Sequence, residues 1–161
     1  MNELKLLHIL ENDPRPNVVD LADILNETPS NVEETMDRLE QEKVICGYHT
    51  VINWDKTDEN VCEAIIEVSS KPERGRGYDR IAEKIARLPE VTDLFLMSGK
   101  NEFFVKVKGK TMRQVADFVG SRLAPIDGVQ ATVTCFLLRK YKVDGVCLEF
   151  EQPQDDRIQI S

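Results

Sequence analysis

Apolar positions recur every three to four residues through the first forty residues and largely every second residue beyond sixty, which predicts a helical segment followed by a mixed α/β segment. Over 2–11, Leu4, Leu7 and Leu10 share one helical face, widened by Leu6 and Ile9, and Pro14 and Pro16 prevent its continuation. A second short helix is expected over 18–25, with Leu21, Ala22 and Leu25 inward. Thr28 is a good N-cap for a third, and Pro29 sits at the first helical position, where its missing N–H costs nothing. Val32, Met36 and Leu39 at i, i+4 and i+7 form its apolar stripe, leaving Ser30, Asn31, Glu33, Glu34, Thr35, Asp37 and Arg38 outward or flanking. Only Asn26 and Glu27 separate this helix from the one before, so the pair reads as a helix-turn-helix. Residues 44–53 read as extended, with Gly47 allowing a bend, and the polar stretch around Trp54 reads as a linker. The expected layout is one domain over 1–53, a linker over 54–60, a second domain over 61–150 and a tail over 151–161.

In the second domain a strand over 61–68 places Cys62, Ala64, Ile66 and Val68 on one face, and a helix over 78–88 presents Ile81, Ile85 and Leu88. Strands follow over 91–97 and 103–108, joined by the turn Ser98-Gly-Lys-Asn-Glu102. A helix over 111–123 turns Met112, Val115, Ala116, Val119 and Leu123 inward, and a strand over 129–138 carries Val129, Ala131, Val133, Cys135 and Leu137 on one side. The order β-α-β-β-α-β with right-handed crossovers puts both helices on one face of a four-stranded antiparallel sheet, a ferredoxin-like arrangement in an α+β chain. The other face, assigned Ile65, Phe136, Leu138 and one side of the Phe103 strand, then needs a partner, and a face-to-face homodimer is the expected one. Asp144-Gly145 predicts a hairpin pairing Val143 with Val146, Tyr141 with Leu148 and Lys140 with Glu149. In the polar tail, Ile158 and Ile160 alternate like a short edge strand.

Charge changes the picture of the first domain. The chain of 161 residues carries a net charge of −8, but residues 1–60 hold five Lys/Arg against fourteen Asp/Glu, while the remainder holds sixteen against fifteen. A nucleic-acid contact built there lacks the basic surface from which non-specific affinity comes. With 41% hydrophobic and 31% charged residues, no apolar run of membrane length and no signal-peptide pattern, a cytoplasmic protein is expected.

Candidate chemistry is sparse. Cys46, Cys62, Cys135 and Cys147 lack zinc-type spacing and read as reduced core residues, and His8 and His49 stand far apart without a partnering constellation. No catalytic residue, metal site or cofactor motif is indicated. Gly75-Arg-Gly77 before a helix could present N–H groups to an anion, a weak signal that a flexible loop explains equally well.

The run V-x-x-L-A-x-x-L over 18–25, followed by R-L-E-x-E-x-V-I-x-G-Y over 38–48, resembles the N-terminal part of the Lrp/AsnC, or feast/famine, family of transcriptional regulators. The segment G-V-x-x-x-x-T-x-x-L over 128–137 is similar to the last strand of that family's effector-binding and assembly domain. The resemblance covers most of the chain. It implies a winged helix-turn-helix whose third helix enters the major groove of double-stranded DNA, a homodimer or higher even oligomer, and a small-molecule effector such as an amino acid. On that helix Ser30, Asn31, Thr35 and Arg38 have suitable donors, with Thr28 anchoring its N-terminus. The effector residues implied are Ser98, Gly99, Asn101, Glu102 and Thr134. Relatives commonly carry arginine or lysine where this chain has Glu33, Glu34, Thr35 and Asp37, and a helix-ending glycine where it has Lys43. They also have an aspartate where this chain has Glu102, next to an aromatic that Lys100-Asn101 does not supply.

Two other readings remain open. The acidic helix-turn-helix could bind a protein partner in place of DNA. The same two-domain fold also serves siroheme decarboxylases, but their histidine has no counterpart over 91–107 in this chain.

Overall fold

The computed structural model describes residues 1–13, 15–72, 75 and 77–150, so the expected docking of Ile158 and Ile160 lies outside the described residues. The chain forms two compact units, one of residues 1–52 and one beginning at Asn53.

The first unit contains α1 (Glu3–Asn12), α2 (Val18–Leu25) and α3 (Pro29–Gln41). Each starts on a polar side chain that accepts a backbone N–H: Asn2 from Lys5, Asn17 from Val19 and Thr28 from Asn31. Leu6, Leu10, Leu21, Ala22, Val32 and Leu39 form the core, with Leu7, Ile9, Leu25, Met36 and Ile45 packed around it. Leu4, expected inward, is 71% exposed. Two positions apart on a helix lie roughly 200° apart, so Leu4 and Leu6 cannot both face inward, and Leu6 with Leu10 takes the core.

Asn26 ends α2 in the left-handed region at φ 53°, which its short amide side chain tolerates, and Glu27 N–H donates to the Ala22 carbonyl at 2.9 Å. Lys43 does the same after α3 at φ 60°. Its N–H donates to Glu40 O at 3.1 Å and that of Val44 to Leu39 O at 2.9 Å, which is the Schellman pattern with a lysine at the position glycine favours. Residues 44–53, expected extended, join neither sheet.

The second unit opens with a 3₁₀ turn, Trp54–Lys56, then β1 (Cys62–Ser70), α4 (Asp79–Ala86), β2 (Val91–Leu96), β3 (Phe103–Gly109), α5 (Met112–Phe118, continuing as a π-turn over Val119–Leu123) and β4 (Val129–Phe136). The sheet is antiparallel in the order β2-β3-β1-β4. Ala64, Ile66, Val68, Phe103, Val105 and Val107 pack against Ile81 and Ile85 of α4 and Val115, Phe118, Val119 and Leu123 of α5. Met112 and Ala116, expected inward, are exposed. Met112 stands in the first turn, and the π-turn hands the buried face to Phe118 together with Val119.

The parity of β4 differs from expectation, and Phe136 moves with it. Val129 lies opposite Ser70 and Ala131 opposite Ser69, so Gln130 is an extra residue, a bulge that reverses every side chain after it. Phe136, Thr134 and Thr132 therefore lie beside Ala64, Ile66 and Val68 on the helix-covered face, and Phe136 packs against the core. The open face carries Ile65, Glu67, Phe95, Phe104, Lys106, Ala131, Val133 and Cys135. All four cysteines are free; Cys62 is half-buried and packs against the core, Cys147 is half-buried, and Cys46 and Cys135 are exposed rather than core residues.

After β4, β5 (Lys142–Val143) and β6 (Val146–Cys147) form the hairpin, with Asp144 at φ 46° and Gly145 at φ 80°. Leu148 N–H donates to Tyr141 O at 2.9 Å as expected, but Glu149 pairs with Arg139, at 3.2 Å, and Lys140 goes to Glu63. Glu63 also accepts Lys106 at 3.4 Å. Burial pushes the Glu63 carboxyl up, but the two ammonium groups outweigh it and hold it below the usual carboxylate range.

A carboxylate lowered on folding stabilises the native state above its unfolded pKa, and that contribution is lost as pH falls through the folded value. Lys140→Ala should accordingly cost about 1–3 kcal/mol near pH 7 and move acid unfolding to higher pH, read by urea melts across pH. At the other end of the chain, Lys43→Gly should add about 1 kcal/mol of stability in urea denaturation followed by helical circular dichroism.

Candidate nucleic-acid interface and effector turn

The exposed side of α3 is tied to its own neighbours. Ser30 Oγ donates to Glu34 at 3.2 Å, and Asn31 Nδ2 to Glu27 at 2.6 Å. The Met1 amino group and Asn31 together hold the Glu27 carboxyl below its usual range. Arg38 reaches Glu3 at 2.5 Å and Glu42 at 3.0 Å, and the Glu42 hydrogen bond and the Glu3 charge raise its pKa further. Thr28 accepts Asn31 N–H at 3.3 Å as the cap.

Thr35 does not belong to this surface. It is 8% exposed, four residues from Leu39 and so on the packed face, and its hydroxyl donates to Asn31 O at 2.8 Å. Behind the helix, Tyr48 donates to Glu40 at 2.9 Å. Burial and that carboxylate push the Tyr48 phenol up to about 12, so it stays a donor.

The turn between β2 and β3 is closed by Met97 N–H donating to Glu102 O at 2.7 Å, leaving Ser98, Gly99 and Lys100 exposed. Glu102 Oε2 accepts the Ser70 N–H at 2.7 Å, at the point where the bulge interrupts the ladder. Asn101 Nδ2 donates to Glu67 at 2.6 Å, on the open face. Thr134 is not brought to this turn within one chain: it sits on the helix-covered face of β4, beyond β1. What sequence reasoning missed is the pair Ser70 and Glu67, the donor and the acceptor that fix the two polar residues of the turn. Neither carries a motif, and only strand register brings them there.

Elsewhere, His8 lies 3.7 Å from Glu11 on the surface of α1. Gly75 and Gly77 both have positive φ, but the helix they precede begins with Asp79, whose charge disfavours an anion. No group of three or more His, Cys, Asp and Glu among the described residues could hold a metal, and no helix among them is long and apolar enough to cross a membrane.

Residues 63–146 match the Lrp/AsnC ligand binding domain. The chain belongs to the Lrp/AsnC family. The HTH-type transcriptional regulator YugG of Bacillus subtilis is 40% identical over 157 residues, 96% of this chain and 93% of that one. Two solved structures share the fold. A feast or famine regulatory protein from M. tuberculosis, complexed with L-methionine, superposes with a TM-score of 0.68 at 21% identity, over 86% of this chain and 91% of that one. A transcriptional regulator from Neisseria meningitidis, also complexed with L-Met, gives 0.64 at 23% identity over 86% and 89%. As a member of the Lrp/AsnC family the chain is a DNA-binding transcriptional regulator of the helix-turn-helix type.

The Glu102 link yields a prediction about architecture. Glu102→Gln retains an acceptor for Ser70 N–H and should change the melting temperature little, whereas Glu102→Ala leaves that buried donor unpaired and should cost about 1–3 kcal/mol in thermal denaturation.

Proposed function

We propose that this regulator binds DNA through α3 as a homo-oligomer and is tuned by an amino acid held at the turn over 98–102. The observation that carries the reading is the capped pair α2 and α3, joined across Asn26 and Glu27 and set on a core of its own. Arg38, Ser30 and Asn31 are the proposed contacts, with Thr28 as cap and Thr35 excluded by burial. Their present partners do not prevent this. Exposed ion pairs are worth only about 0–1 kcal/mol, so Arg38 can leave Glu3 and Glu42 for a phosphate at little cost. The acidic residues beside it remain a penalty, so specific binding is expected to be weak per helix and to depend on several helices engaging together.

For the oligomer, the open face supplies the surface: Phe95 and Val133 are each more than half exposed there beside Phe104 and Ile65. For the effector, the turn offers exposed backbone at Ser98 and Gly99 for a carboxylate, and Glu102 for an ammonium group. Two structural relatives are complexes with L-methionine, which makes it the first amino acid to try. No catalytic role is assigned, in keeping with the regulator names of the relatives, and the cytoplasm, where DNA is reached, is the proposed location.

Three results are expected. Glu33→Arg with Glu34→Arg should raise affinity for unrelated DNA and steepen its salt dependence, measured by fluorescence anisotropy; unchanged affinity would place α3 away from DNA. Val133→Glu should dissociate the assembly in sedimentation, while a wild type already monomeric at micromolar concentration would refute the interface. Among the twenty amino acids at least one should raise the melting temperature of the assembled protein, and Glu102→Gln should abolish that rise. No response to any of them counts against the pocket.

A further inference from the structure

Asn31 is the third residue of α3, within the first turn by which a recognition helix touches base edges. Most of its polar groups are already engaged. Its backbone N–H donates to Thr28 Oγ1 at 3.3 Å, and its carbonyl accepts the Thr35 hydroxyl at 2.8 Å. Its side-chain Nδ2 donates to Glu27 Oε2 at 2.6 Å across a half-buried contact. Oδ1 accepts from no described residue and stays open to solvent.

Glu27 is itself fixed, by the Met1 amino group 3.1 Å from its other oxygen, Oε1. Its side chain is 23% exposed, against 48% and 51% for the two carboxylates that pair with Arg38, so this contact is the less screened of the two networks. The amino group also offsets the negative charge that Glu27 would otherwise bring toward phosphate. A carboxylate has no proton to give, so it decides which way the Asn31 amide turns, nitrogen toward Glu27 and oxygen away. One hydrogen of Nδ2 is then spent on Glu27. The other, with Oδ1, leaves a donor beside an acceptor. In the major groove adenine presents the matching pair, an N7 acceptor beside an N6 donor, whereas guanine presents two acceptors and each pyrimidine only one hydrogen-bonding group.

From these contacts we infer that Asn31 reads an adenine through both groups of its amide, and that Glu27 is the positioning residue that sets the amide for it. The inference rests on the proposed entry of α3 into the major groove. Because the amide is already held in the free protein, little side-chain freedom is lost on binding. In a two-fold symmetric dimer one such adenine belongs to each half-site.

The test selects duplexes from a randomised DNA library with the assembled full chain at low salt and measures the enriched duplex by fluorescence anisotropy. The wild type should require one adenine in each half-site. Replacing that adenine with 7-deazaadenine, which keeps the base pair but lacks the N7 acceptor, should weaken wild-type binding about tenfold. Asn31→Ala should weaken binding to the adenine duplex by a similar factor and be indifferent to the replacement. Glu27→Ala should lose most of the discrimination against 7-deazaadenine, while Glu27→Gln, which keeps an oxygen acceptor for Nδ2, should retain it. Should Glu27→Ala fail to fold, Glu27→Met fills the same space without an acceptor and should behave as expected for alanine. Discrimination that survives loss of the Glu27 acceptor, a base other than adenine at the position sensitive to Asn31→Ala, or an equal loss on every duplex overturns the inference while leaving α3 on DNA. Affinity indifferent to Asn31→Ala, Ser30→Ala and Arg38→Ala, or a library that yields no enriched duplex, overturns the placing of α3 and this inference with it.

Discussion

Side chains alternate across a strand, so a single extra residue decides what each face of a sheet presents, and in this protein that residue is Gln130. Its bulge opposite Ser69 and Ser70 turns Phe136 into the core and Val133 and Cys135 outward, which defines the face available for assembly. On the other edge of β1, just past the end of its pairing with β3 at Val68 and Phe103, the Ser70 N–H goes to the Glu102 carboxylate. Glu102 in turn closes the exposed turn through its carbonyl, and Asn101 ties the same turn to Glu67 on the open face. The Asn101 link thus joins the proposed effector turn to the face on which the proposed assembly surface lies.

The first unit is governed by a different constraint, its acidity. A recognition helix normally gains affinity by neutralising phosphates, yet α3 carries Arg38 as its only Lys/Arg, and that arginine bridges α1 to the end of α3 through Glu3 and Glu42. The bridge is exposed, so it organises the helix without committing the arginine. Lys43 adds a basic group just past the helix end, at the cost of a left-handed backbone that glycine would adopt freely.

Much of this was legible from sequence because it rests on local chemistry. Thr28-Pro29, the α2 stripe and Asp144-Gly145 each specify their own geometry, and the element order specified the ferredoxin-like sheet. What failed was parity and competition. No local feature of 129–138 announces that Gln130 is skipped, since both alternations offer plausible inward residues. Likewise α1 has more apolar positions than one stripe can hold, so Leu4 and Leu6 compete and only packing decides. Thr35 was misplaced because a threonine on a polar helix face reads as outward, while its hydroxyl can instead be satisfied by the carbonyl four residues back, which permits burial. Sites fared worse than folds for the same reason: Ser70 and Glu67 enter the turn through strand register alone.

The central claim, that an acidic helix-turn-helix still recognises DNA when several copies act together, is tested most directly by titrating the assembled protein against DNA from upstream of its own gene across a salt series. The account predicts saturable, salt-sensitive binding at low ionic strength that is lost when the protein is held as a monomer. Assembled protein that retains no DNA at low salt would contradict it and transfer the acidic face of α3 to a protein partner.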